Sequence, residues 1–308
     1  MSTGRADASA ARDSTAAVAA VQAADSVAAQ WRLLRGMTRA RVGLGHTGVS
    51  LPTSHLLAFE ADHALARDAV REPFDADNFA ARVSALDLTA VTVTTLADDR
   101  EQYLRRPDLG RRLSTGSREQ LRAMALSQRG RFDSGWDVVF IVSDGLSATA
   151  TTRHAIRLLA ATLPLLESYA LSVGPVVIAP FARVGLLNDV GPTLGARAAA
   201  ILLGERPGLS APDSLSAYYE FQPRPELTDA DRNCISNIRD DGLTPERAAD
   251  ALATLIREGA RSRLSGTRLK LEYPADDRPL SSGSLGTGPD QRGRSDGDAV
   301  LRTRAGET

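Results

Sequence analysis

The chain has 308 residues, 43% hydrophobic and 24% charged, enough for about two ordinary domains with a sizeable core. A formal net charge of -1 and a pI near 6.5 give no global electrostatic basis for binding nucleic acid or an anionic membrane. One cysteine, Cys234, excludes an intrachain disulfide and a cysteine-rich zinc site; with no apolar run near the ~20 residues of a membrane span and no signal-like core in residues 1–11, a reducing cytosol is the expected setting.

Residues 1–30 are rich in Ala, Asp, Ser and Thr and read as a weakly ordered extension. Within it 16–29 is a candidate docking helix, with Val18, Val21 and Val27 as a thin apolar stripe. Residues 31–135 read as a helix-rich N-terminal domain. Its best helix is predicted from a cap at Ser50 or Thr53 to about Val70, with Leu56, Leu57, Leu65 and Ala69 facing inward. The alternating, β-branched stretch 88–95 (LTAVTVTT) predicts a strand. A basic loop around Pro107 follows, with Arg105, Arg106, Arg111 and Arg112.

Residues 136–266 read as α/β. The run 138–142 (VVFIV) is what a strand covered on both faces requires, and a helix over 149–169 follows, kinked by Pro164. Further strands are predicted at 176–179 and 198–203, the alanines of the latter leaving helix open as an alternative. The last helix starts with Thr244 as N-cap and Pro245 in its first turn and runs to about Arg263. This order predicts an α/β fold, a Rossmann-like parallel sheet domain preceded by the helix-rich domain. From residue 274 to 308 Gly, Ser, Asp, Arg and Pro dominate, so a disordered tail is expected.

Among the motifs, Gly204-Glu205-Arg206-Pro207-Gly208 must turn sharply after a strand, where α/β sheets bind ligands; by spacing alone an ordinary loop is the commoner reading. The stretch 43–48 (GLGHTG) matches the dinucleotide pattern and makes a stand-alone NAD(P)-dependent oxidoreductase the alternative reading. Only a poor strand precedes it, and Pro52 arrives too soon for the phosphate-binding helix. Gly145–Thr149 resembles a nucleophile elbow without its last glycine, and the single later histidine, His154, is badly placed to complete a triad. His55 and His63, about 12 Å apart along one helix, cannot share a metal ion. The arginine cluster favours a protein interface over nucleic acid. Cys234 reads as a packing residue first and a ligand contact second.

The blocks VGLGHTGVSLPTSHLLAFEADHALARDAV, YLRRPDLGRRLS, VVFIVSDGLSATA, LGARAAAILLGERPGLS and DRNCISNI together resemble the small subunit of ethanolamine ammonia-lyase, over about residues 35–266. The resemblance implies an adenosylcobalamin-dependent lyase converting ethanolamine to acetaldehyde and ammonia in ethanolamine catabolism. It implies a large TIM-barrel subunit that binds ethanolamine and carries the radical chemistry, and a hetero-oligomer of several large–small pairs. This chain would cover the cobalamin from the other side, in the cytoplasm or a bacterial microcompartment, with no catalytic or metal-ligating residue of its own. Carried over position by position, the cofactor contacts would be Val184 (after Arg183), Glu205 and Cys234. No D-x-H-x-x-G motif occurs, so a base-on cofactor without a histidine on cobalt is expected. One departure is Gly45-His46-Thr47-Gly48, where the family usually reads GRAG.

Overall fold

Six strands form one sheet in the order β1-β3-β2-β4-β5-β6. They are β1 (Ala90–Thr92), β2 (Val138–Ser143), β3 (Val173–Ile178), β4 (Ala198–Gly204), β5 (Leu215–Phe221) and β6 (Asn233–Ile238). The computed structural model describes residues 26–38, 40–128, 135–209 and 211–269. The expected extension before residue 26 and the expected tail after 273 lie outside them. α1 (Val27–Met37), capped by the Ser26 side chain, belongs to a different unit from the sheet, and the candidate helix 16–29 lies outside the described residues up to residue 25.

β1, β3, β2 and β4 run parallel, whereas β5 and β6 are antiparallel to their neighbours, so the sheet is mixed. This corrects the expectation of a parallel sheet. Only the ten residues 205–214 separate β4 from β5, and a link without a crossover helix returns the chain antiparallel. The stretch 88–95 does supply a strand, on the sheet's edge beside β3. β3 starts earlier than expected and includes Pro175, which has no N–H for the ladder. The register of β2 against β3 slips at that point, between Val138 and Phe140.

β2 and β4 are buried at every position, which settles the alanine-rich 198–203 as a strand. Alternate residues feed two cores. Phe140, Val142, Ala200 and Leu202 face α3 (Ala76–Ser84), α7 (Ile156–Ser168) and α9 (Pro245–Ser262). Val139, Ile141, Ala199 and Ile201 face α5 (Thr115–Gln128) and α8 (Leu187–Leu194). A three-layer arrangement results, the expected consequence of continuous apolar strands.

Two helical expectations need correction. α2 (Thr53–Arg71) forms, but Pro52 stands at its N-cap without a side-chain bond. Leu56, Leu57 and Leu65 are exposed rather than inward, and only Ala69 is buried. The long helix after β2 runs on through Pro164, and its irregular segment lies earlier: α6 (Ala148–Ala150) passes into a π-helical turn over Thr151–Ala155 before α7. α4 (Arg100–Arg105) is short and capped by Asp99. α9 carries the expected Thr244 cap and Pro245, and ends with Arg263 in the left-handed region.

Candidate functional site

The carboxyl ends of β2, β3 and β4 lie side by side, and the sequence knits them with buried polar groups. Ser143 Oγ accepts from the amides of Ala182 at 3.0 Å and Gly145 at 3.3 Å. Asp144 accepts the Phe181 amide at 2.8 Å and pairs with Arg100 at 2.8 Å. Arg100 also donates to the carbonyls of Val70 and Gly145. Desolvation raises the Asp144 pKa, and the Arg100 charge opposes that. Together these bonds fix the turn after β3 that presents Arg183 and Val184. Sequence reasoning missed Ser143, Asp144 and Arg100 as positioning groups, although S-D-G directly after a buried strand was the available signal.

The same turn is held from the other side. Arg183 donates its backbone amide to the Gly110 carbonyl at 2.7 Å and a guanidinium N–H to the Tyr103 carbonyl at 3.0 Å. Its guanidinium carbon lies 4.0 Å from the centre of the Tyr103 ring. Burial pushes the Tyr103 pKa up to about 12, so the phenol stays neutral.

Gly204 ends β4 in a position no other residue can take. A Cβ there would sit 2.1 Å from the Ser147 carbonyl oxygen and 2.7 Å from that of Asp144. Glu205 follows and is half-buried. Its carboxylate accepts from the Ser216 hydroxyl, from the Ser214 hydroxyl at 2.6 Å and from the Asn237 amide at 3.3 Å. It therefore ties β4, β5 and β6 together as well as facing the loop.

Cys234 lies on the edge strand β6, opposite Tyr218 of β5, and its side chain is exposed rather than packed in a core. Partial desolvation first, and the Glu205 charge with it, raise the thiol pKa, while hydrogen bonds with Tyr218 and Ser216 act against the rise. Cys234 is thus a neutral thiol near pH 7, not a nucleophile. Desolvation, with Cys234 beside it, pushes Tyr218 up to about 12. Val184 and Cys234 line one depression of about 400 Å³ with Arg111, Arg183, Tyr218 and Arg232. Glu205 adjoins it through Ser216 and Cys234. The structure thus brings the three sequence-predicted residues into one neighbourhood.

The remaining motifs resolve as structure. Residues 41–46 have no regular structure; a single bridge joins Thr47 to Ser50, and α2 starts only at Thr53. With no strand of the sheet before it, the glycine stretch offers no dinucleotide turn, and the oxidoreductase alternative has no support. Ser147 is fully buried, donates to the Pro212 carbonyl at 2.8 Å and caps α6. His154 is buried in the π turn, its Nε2 3.8 Å from Asp213. His63 stacks on Phe59, and among the described residues no group of three His, Cys, Asp or Glu could hold a metal ion. The arginine cluster divides. Arg105 pairs with Glu101 at 2.9 Å and Arg106 with Asp108 at 2.8 Å, while Arg111 and Arg112 line depressions. Among the described residues no helix is long and apolar enough to cross a membrane.

Residues 28–270 match the family profile described as ethanolamine ammonia-lyase light chain (EutC). The chain is 44% identical over 266 residues to the ethanolamine ammonia-lyase small subunit of Pseudomonas fluorescens Pf-5, covering 85% of this chain and 96% of that one. It is 47% identical over 252 residues to the protein of the same name from Bradyrhizobium diazoefficiens USDA 110, covering 82% and 94%. The Ralstonia nicotianae GMI1000 small subunit is 46% identical over 240 residues, covering 78% and 87%.

Proposed function

Because this chain belongs to the ethanolamine ammonia-lyase light-chain family, and so is one subunit of a two-subunit carbon–nitrogen lyase, we propose that it covers one side of an adenosylcobalamin held mainly by the large subunit. When bound, that cofactor supplies the radical that starts the conversion of ethanolamine to acetaldehyde and ammonia. The large subunit, a TIM barrel in this reading, holds ethanolamine. This chain binds, orients and excludes water, and several such pairs assemble in the cytoplasm.

The observation that carries the reading is the convergence of Val184, Cys234 and Glu205 at one end of the sheet. Their chemistry suits a corrin, a flat ring fringed with amide arms. Glu205 accepts three hydrogen bonds within the chain, and an ionised carboxylate has about four lone-pair sites, so one remains for an amide N–H. Val184 offers apolar contact, and Cys234 a compact neutral thiol. A space of about 400 Å³ takes part of a corrinoid and not the whole, which fits a shared site. The exposed Leu56, Leu57 and Leu65 of α2 are surface that a large partner would cover.

The test is corrinoid retention in the complex copurified with its large subunit. Glu205→Gln keeps the size of the side chain and removes its charge; we expect roughly tenfold weaker cobalamin binding, the order of one charge-assisted hydrogen bond. Unchanged affinity in an intact complex would count against the site.

A further inference from the structure

The depression beside Val184 and Cys234 does not end at Arg111. A second depression, of about 540 Å³, shares Arg111, Gly185, Asp229 and Arg232 with it and extends to Arg112 and Arg118. The two form one groove leading away from the proposed corrin contacts.

This groove is positive at close range even though the chain is nearly neutral. Arginines 111, 112, 118, 183 and 232 line it, against three carboxylates: Asp189, Asp229 and the Glu220 that backs Arg232. Those acids are already used. Asp189 takes Arg118 through two bonds of 2.6 and 2.7 Å. Arg232 bridges Glu220, at 2.6 Å, and Asp229. Among the described residues neither Arg111 nor Arg112 makes an ion pair at hydrogen-bonding distance, and both are exposed. The surplus charge is felt by its neighbour: burial and then the charges of Arg100, Arg111 and Arg206 pull the Arg183 pKa down. Unpaired guanidiniums with planar, forked donors suit a phosphate oxygen pair.

Resting on the cobalamin reading above, we propose that Arg111 and Arg112 bind the single phosphodiester of the cofactor's nucleotide tail, while Val184 and Cys234 face the macrocycle. The groove thus recognises the tail and the depression recognises the ring. The chain then discriminates complete cobalamin from corrinoids that lack the nucleotide.

Two probes separate these contributions: cyanocobalamin, and cyanocobinamide, which has the ring but no nucleotide or phosphodiester. Their affinities are measured by equilibrium dialysis with visible absorbance on the copurified two-subunit complex. The double variant Arg111→Ala/Arg112→Ala should bind cyanocobalamin roughly 10- to 100-fold more weakly, the order expected for lost charge-assisted bonds. Its affinity for cyanocobinamide should stay within about twofold. Raising the salt should erode the wild-type preference for cyanocobalamin and leave the variant's nearly flat. The pair Arg105→Ala/Arg106→Ala, whose side chains have their own acids, should change neither affinity. If the Arg111/Arg112 variant binds both corrinoids as wild type does, the subsite is overturned while the ring contacts survive; if it loses both equally, the subsite is overturned because the arginines then serve the ring and not the tail. A variant that assembles more weakly with the large subunit, yet binds both corrinoids normally once assembled, reassigns the arginines to a partner's acidic surface and overturns it too. A wild-type complex that binds neither corrinoid removes the parent reading and this one together.

Discussion

α2 and α9 are nearly equal in length, 19 and 18 residues, and both carry leucines along a helical stripe. They end in opposite circumstances. α9 buries eight residues, among them Leu252, Leu255 and Ile256, against the sheet and α7. α2 buries one, Ala69, and leaves Leu56, Leu57, Phe59 and Leu65 open to solvent. The contrast shows that an apolar stripe marks a surface to be covered without saying which chain covers it. In α9 the cover is this chain's own sheet. For α2 the described residues supply almost none, as befits one subunit of two.

The sharpest way to test the contrast is to cut into both helices. Leu252→Ala removes a buried side chain from α9, and chemical denaturation should record a loss of about 2–5 kcal/mol. Leu57→Ser on α2 should change the stability of the isolated chain by no more than about 0.5 kcal/mol. Its effect should emerge instead as weaker association with the large subunit, measured by size-exclusion or sedimentation. A comparable loss in the isolated chain would mean that α2 is sealed within this subunit after all. The smallest effect concerns the polar rim of α9. Arg157 of α7 pairs with Asp240 at 2.6 Å and Glu246 at 2.9 Å on the surface. Hydrogen bonds to Arg157 lower the Asp240 pKa, and with its own backbone bond do the same for Glu246. Their stabilisation is present above the ordinary carboxylate range and lost as pH falls through the lowered values. Arg157→Ala should therefore cost less than about 1 kcal/mol near neutrality, a gap that closes in acid.

What the sequence made legible follows the same line. β2 and β4 were readable because a strand buried on both faces can be almost wholly apolar, and α9 because Thr244 and Pro245 announce its start. β5 (LSAYYEF) escaped notice, since it carries Ser216 and Glu220 into the interior and relies on distant partners to pair them. Arg232, which pairs Glu220, arrives twelve residues later, so no local pattern predicts that the pair is buried. At the candidate site, Val184 was visible only through family resemblance, whereas the sharp turn after a strand marked Glu205 and the lone thiol marked Cys234 without saying what they would touch. That Glu205 binds Ser214, Ser216 and Asn237, or that Cys234 sits on a strand opposite Tyr218, depends on the antiparallel return after Gly204. Spacing alone carries no signal for that return. The arginine cluster read as one patch because sequence proximity hides pairing. Arg105 and Arg106 pair with their own acids, whereas among the described residues Arg111 and Arg112 make no ion pair at hydrogen-bonding distance.

The outermost strand, β6, has a further effect. Its sequence, NCISNI, is short and mostly hydrophilic, its register slips against β5, and Asn237 near its end takes a left-handed φ of 58°. A rim built this way offers another copy's backbone few consecutive unpaired amides and carbonyls, so edge-to-edge stacking into fibres is blocked geometrically.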